Sequence, residues 1–141
     1  MRSELKLFTS FVSKENLSYL SEKRLLPTFI IRNISNSKLI GKWSGTPLHI
    51  KEFSPSTELF QKLRSGEINF SRYQKEYVIN LAYVNFVSVI KRLEKLAKDS
   101  NASGIALLGF EKDPELCHRS LLSDILNRTH LLTNNVNEVD L

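Results

Sequence analysis

Cys117, His118 and Arg119 are consecutive in the chain, and Glu111 lies six positions before the cysteine. A thiolate is a nucleophile, and His118 and Arg119 beside Cys117 bias it towards that form. Arg119 can clamp a phosphate or carboxylate through two parallel hydrogen bonds. Glu111 can act as a general base or orient the arginine. Cys117, His118 and Glu111 are therefore the candidate catalytic residues. Each has a structural alternative. Cys117 can be a buried, inert small residue. Arg119 can pair with Glu111 or Asp113 and close a loop. Adjacent positions cannot face the same way, so a tight Cys117–His118 pair is not implied.

What must position these residues is legible around them. Ile105 to Phe110 is an almost wholly apolar run, as expected of a strand buried on both faces. Leu121, Leu122, Ile125 and Leu126 fall on one face of a helix. Asp113-Pro114 lies between, and proline suits the entry to a helix. The Cys-His-Arg run thus sits near a helix N-terminus just past a strand end. Free backbone N–H groups and the helix dipole favour an anion there. In open α/β sheets this is also where ligands bind.

Upstream, Leu5 to Phe11 reads as a first strand. Ser13 is placed to cap a helix with Leu17 and Leu20 as its apolar face, Lys23-Arg24 at its end and Pro27 breaking it. Thr28 to Ile31 reads as a second strand, with Arg32 where it leaves the sheet. Residues 33–56 read as a long irregular basic loop holding Trp43, His49 and Phe53. Trp43 either stacks a base or ligand ring or, with Phe53, pins the loop to the core. Arg32 and Trp43 join Arg119 as candidate anion-binding residues. Helices are expected over Thr57 to Arg64, from Ser71, and over Val84 to Asp99. Tyr73 and Tyr77, four apart, share a helix face and suit packing more than catalysis. Lys91, Arg92, Lys95 and Lys98 form a wet side. Residues 128–135 read as turn-like, and residues 136–141 read as a short last strand at the sheet edge. This order predicts an α/β fold: one small domain over residues 1–141, with a mostly parallel central sheet and helices on both faces.

The 141 residues suit one core, and 41% hydrophobic with 25% charged residues is a globular balance. No apolar run is long enough to span a bilayer, so no membrane partner is expected. The first residues do not resemble a signal peptide. A single cysteine forms no internal disulfide, which fits a reducing, cytoplasmic setting. Net charge is +5, and residues 32–64 carry six basic side chains against Glu52 and Glu58. That bias suits a phosphate-bearing small molecule or nucleic acid, or is simply a solvated surface. Walker and GxGxxG loops are absent, and so is a Gly-x-Ser-x-Gly elbow. The position six after Cys117 is Ser123, where a cysteine phosphatase needs arginine. Three scattered histidines (His49, His118, His130) and one cysteine make a poor zinc set, and no metal or cofactor is implied.

The run LLGFEKDPELCHRSLL resembles the signature of the family called domain of unknown function 488: an apolar strand, Glu-Lys, a short loop, then Cys-His-Arg opening a helix. Leu5 to Ser10 looks like that family's opening strand. Phe29-Ile30-Ile31-Arg32 looks like its second strand, with the arginine at the end. Leu48 to Pro55 corresponds to a loop that precedes a helix. Tyr73 and Tyr77 match a paired tyrosine element, and Glu138-Val139 its acidic, hydrophobic ending. The resemblance implies an α/β fold and, as the family's name says, no assigned activity. Many members have a second cysteine where this chain has Gly109, so a two-cysteine mechanism is not expected here.

Two functions follow from these residues. One is an enzyme acting on a phosphate-bearing substrate, a nucleotide or nucleic acid, at a Cys-His-Arg anion site. The other is a non-catalytic module that binds nucleic acid or an acidic partner, with the Cys-His-Arg loop structural.

Overall fold

The computed structural model describes residues 2–11, 13–30, 48–109 and 118–139. Among these residues five strands pair in the order β3-β2-β4-β1-β5, each pairing parallel. In chain order they are β1 (Leu7–Phe11), β2 (Leu25–Phe29), β3 (Leu48–His49), β4 (Gly104–Gly109) and β5 (Asn137–Glu138). The helices are α1 (Lys14–Glu22), α2 (Thr57–Arg64), α3 (Phe70–Leu81), α4 (Phe86–Asp99) and α5 (His118–Thr129). This is an α/β fold.

The apolar run at Ile105 is the central strand, as its composition predicts. All six residues of β4 are buried, and it lies between β1 and β2. Its two faces feed two cores. Ile105 and Leu107 join Leu7, Ile30, Leu93, Leu122 and Leu126 on one face, under α2 to α5. Ala106 and Leu108 join Phe29, Leu17 and Leu20 on the other, under α1. Gly104 opens the strand where a Cβ would lie 2.7 Å from the Lys6 carbonyl oxygen, so a side chain does not fit.

Helix starts follow capping chemistry. Ser13 Oγ accepts from Asn16 N, and Ser56 Oγ from Leu59 N. Such a cap contributes about 1 kcal/mol. Two starts differ from the sequence expectation. Asn69 caps α3, one residue before Phe70 rather than at Ser71, and Asn85 caps α4, which begins at Phe86 rather than Val84. Asparagine is as good a cap as serine, so the earlier residue takes α3.

Pro27 does not break α1. That helix ends at Glu22, and Arg24 turns the chain with a φ of 59°. β2 begins at Leu25 and carries Pro27 within it, opposite Ala106. Ile30 N donates to Leu108 O, while Phe29 O accepts from Ile50 N on the other side. Pro27 has the orientation of Phe29, so its nitrogen faces the β3 side. β3 pairs only from Thr28 onward, and the missing N–H costs no ladder bond.

Within the stretch expected to be irregular, residues 48–56 have defined structure. Leu48–His49 pair with β2, and Lys51–Phe53 form a 3₁₀ turn. Phe53 is fully buried and packs on Phe86 at 5.9 Å, so it does pin this segment to the core. Residues 33–47 lie outside the described residues.

Candidate functional site

β1 and β4 are neighbours at the centre of the sheet, but the helices that follow them leave to opposite faces. α1 packs in the core on one face and α5 in the core on the other. The C-terminal ends of β1 and β4 therefore flank a topological switch point, where open α/β sheets take ligands. α5 starts at His118 on one side of it, and α1, capped by Ser13, on the other.

Arg119, in the first turn of α5, has no solvent exposure. Its Nε donates to both oxygens of Glu138, at 3.0 Å and 3.2 Å, and its Nη2 donates to Oε2 at 2.9 Å. Thr9 Oγ1 donates to the same carboxylate at 2.7 Å. The guanidinium also lies 6.0 Å from the Phe11 ring centre, a cation–π distance. Glu138 reaches it because α5 holds the last segment. Asn127 Oδ1 accepts from Val136 N at 2.7 Å, and Ser123 Oγ donates to Val136 O at 3.2 Å. The next two residues then pair with β1, which sets Glu138 opposite Thr9 on the α5 face.

His118 turns the other way. Its Nε2 lies 2.5 Å from the Ile30 carbonyl oxygen, just past the end of β2. A carbonyl only accepts, so Nε2 carries the hydrogen. The Tyr77 ring and the imidazole form a T-shaped pair at 5.1 Å and 71°, and Tyr77 Oη donates to Phe53 O at 2.6 Å. Two adjacent residues thus tie the start of α5 to three strands: His118 to β2, and Arg119 to β5 and, through the shared carboxylate, to β1.

Of the six candidate residues, the structure describes His118 and Arg119. Cys117, Glu111, Arg32 and Trp43 lie outside the described residues, as does Asp113. His49 is bonded through Nε2 to Ser54 Oγ at 3.1 Å. Sequence reasoning did not assign Thr9 or Glu138 to the arginine. Their signal is weak: a threonine inside an apolar strand, and an acidic residue in an apolar ending.

A family model described as the active DUF488-N3 subclade, DUF488-N3a, matches residues 30–130. The chain belongs to the DUF488 family. No curated protein matches it, and no solved structure does. The DUF488 match runs from the end of β2 through α5 and includes Cys117, His118 and Arg119. It stops before Glu138, so the ion pair that holds Arg119 joins the matched stretch to residues beyond it. Among the described residues, no helix is long and apolar enough to cross a membrane.

Proposed function

We propose that this DUF488 chain is an enzyme acting on a phosphate-bearing substrate, a nucleotide or nucleic acid, seated at the start of α5. Cys117 supplies the nucleophile, and Glu111 the base. Arg32 and Trp43 complete the anion site in this reading. His118 and Arg119 are positioning residues in this reading. The observation that carries it is the double anchoring of the first turn of α5. A helix N-terminus stabilises negative charge only where its N–H groups stay aimed at one point, and a reacting group needs its geometry held to about 0.5 Å. His118 on Ile30 O and Arg119 on Glu138 supply that rigidity at the switch point. The description of the matched family model as an active subclade points the same way.

The test is alkylation of Cys117 by iodoacetamide from about pH 5 to 10, which spans the reference thiol value of about 8.5. The expected result is an inflection below that value, with the rate suppressed by inorganic phosphate or adenosine 5′-phosphate. A cysteine that reacts only after denaturation overturns the nucleophile.

The complete burial of Arg119 favours a second reading. Here the Cys-His-Arg loop is structural, and the chain binds nucleic acid or an acidic partner without chemistry. Anion protection without the low inflection supports it. So does nucleic-acid affinity that falls steeply with salt and weakens when Lys38, Lys42 and Lys51 become glutamine.

A further inference from the structure

Among the described residues, two buried side-chain atoms have no hydrogen-bond partner: Asn16 Oδ1 and Thr28 Oγ1. Asn16 lies in the first turn of α1 and is 1% exposed. Its Nδ2 donates to Ser10 Oγ at 3.1 Å and to Phe11 O at 2.9 Å. The amide cannot be reversed, because that would set its oxygen against the Phe11 carbonyl, and two acceptors repel. The unpartnered atom is therefore the oxygen. Both bonds hold the carboxamide at the C-terminal end of β1, beside β4, since Ser10 is paired with Leu108. That is the α1 wall of the switch point whose other wall is the start of α5.

We propose that Asn16 is a ligand-binding residue of this crevice, and that its Oδ1 accepts a hydrogen bond from an O–H or N–H group of the bound molecule. A buried acceptor left empty costs free energy, whereas one filled by the ligand contributes to affinity and rejects analogues that lack the donor. The inference rests on the reading that a phosphate-bearing ligand sits at α5. It adds that this ligand also carries a donor. A sugar hydroxyl and a base amino group are the two sources of that chemistry within a nucleotide.

Calorimetric titration of the full chain separates them. Three probes share a phosphate: propyl phosphate has no further donor, ribose 5-phosphate carries hydroxyls, and 2′,3′-dideoxyadenosine 5′-phosphate carries only the base amine. A donor-bearing probe should bind at least about tenfold more tightly than propyl phosphate, one hydrogen bond's worth of discrimination. A gain with ribose 5-phosphate identifies the hydroxyl, and a gain confined to the dideoxynucleotide identifies the amine. Asn16→Leu should reduce that probe to the level of propyl phosphate and leave propyl phosphate unchanged. If Asn16→Leu does not fold, the wild-type comparison and Asn16→Ala, which removes the acceptor without adding bulk, decide. Equal binding of all three probes, or a preference that survives Asn16→Leu, overturns the inference and leaves Oδ1 to water. Should propyl phosphate neither bind nor slow Cys117 alkylation, the phosphate reading fails; the Asn16 inference fails with it only if the donor-bearing probes are silent too.

Discussion

Arg119 directs Nε and Nη2 onto the Glu138 carboxylate from a position with no exposure, while about a third of the Glu138 side chain meets solvent. The guanidinium has lost its hydration, so its stability depends on the geometry of this fork. Removing one partner of a fully buried pair costs about 3–5 kcal/mol, and an exposed pair is worth about 0–1 kcal/mol. Glu138 lies between these limits.

Glu138→Gln should therefore lower the urea unfolding free energy by about 2 kcal/mol. Arg119→Lys should cost at least as much, because a lysine ammonium cannot present the fork. Thr9 donates to the same carboxylate, so Thr9→Val and Glu138→Gln should be non-additive in a double-mutant cycle. Additive losses would mean that the three groups do not act as one unit.

The parts that were legible in the sequence are those fixed by local rules. An unbroken apolar run predicts β4 because only two-sided burial accounts for it, and Ser13 marks α1 through its own hydroxyl. What was not legible depends on neighbours distant in the chain. Pro27 reads locally as a breaker, and its place in β2 makes sense only once β3 is seen to begin one residue later. Arg119 and Glu138 are 19 positions apart, and nothing local joins them. Asn16 has no local signal of its own, since its anchor, Ser10, belongs to the preceding strand.

Gly104 is a sharper test of the sheet. Its absent side chain lets the Lys6 carbonyl approach to accept from Ile105 N at 2.9 Å. Gly104→Ala must push β4 away from the start of β1, because the nearest atom is backbone and cannot rotate aside. The expected loss is about 1–3 kcal/mol, the usual cost of overpacking, read as a fall in Tm of several degrees. An unchanged Tm would mean that this end of β1 yields freely.

Glu52 carries a pH dependence. Burial alone would raise its carboxyl, but its own backbone N–H and Arg92 outweigh that and hold it below the ordinary value of 4.5. Arg92 Nη2 lies 2.7 Å from Oε2, and both side chains are more than a third exposed. A carboxyl lowered on folding stabilises the protein above its unfolded value. That contribution is lost as pH falls below about 4.5 through the folded value. Arg92→Met should thus cost a few tenths of a kcal/mol near pH 6, and the deficit should shrink towards pH 3. A deficit that is constant with pH would assign the effect to lost packing of the arginine stem.

Tyr77 connects the segment after β3 to the start of α5, with its hydroxyl on Phe53 O and its ring against His118. Tyr77→Phe keeps the ring and removes the donor, leaving a buried carbonyl short of a partner. The expected loss is about 1–2 kcal/mol, more than an exposed hydroxyl would give. Its location distinguishes this from general destabilisation. Phe53 N and Ser54 N, which close the 3₁₀ turn on Ile50 O and Lys51 O, should exchange with solvent faster in the variant. Ile105 N, in the central strand, should slow or quicken only as far as global stability changes. His118 should keep its Nε2 hydrogen on Ile30 O, visible in the imidazole nitrogen spectrum, because the ring of residue 77 is unaltered. If the His118 signal changes with the hydroxyl, the tyrosine acts on α5 through Phe53; if the turn amides do not quicken, the hydroxyl is not what holds this segment.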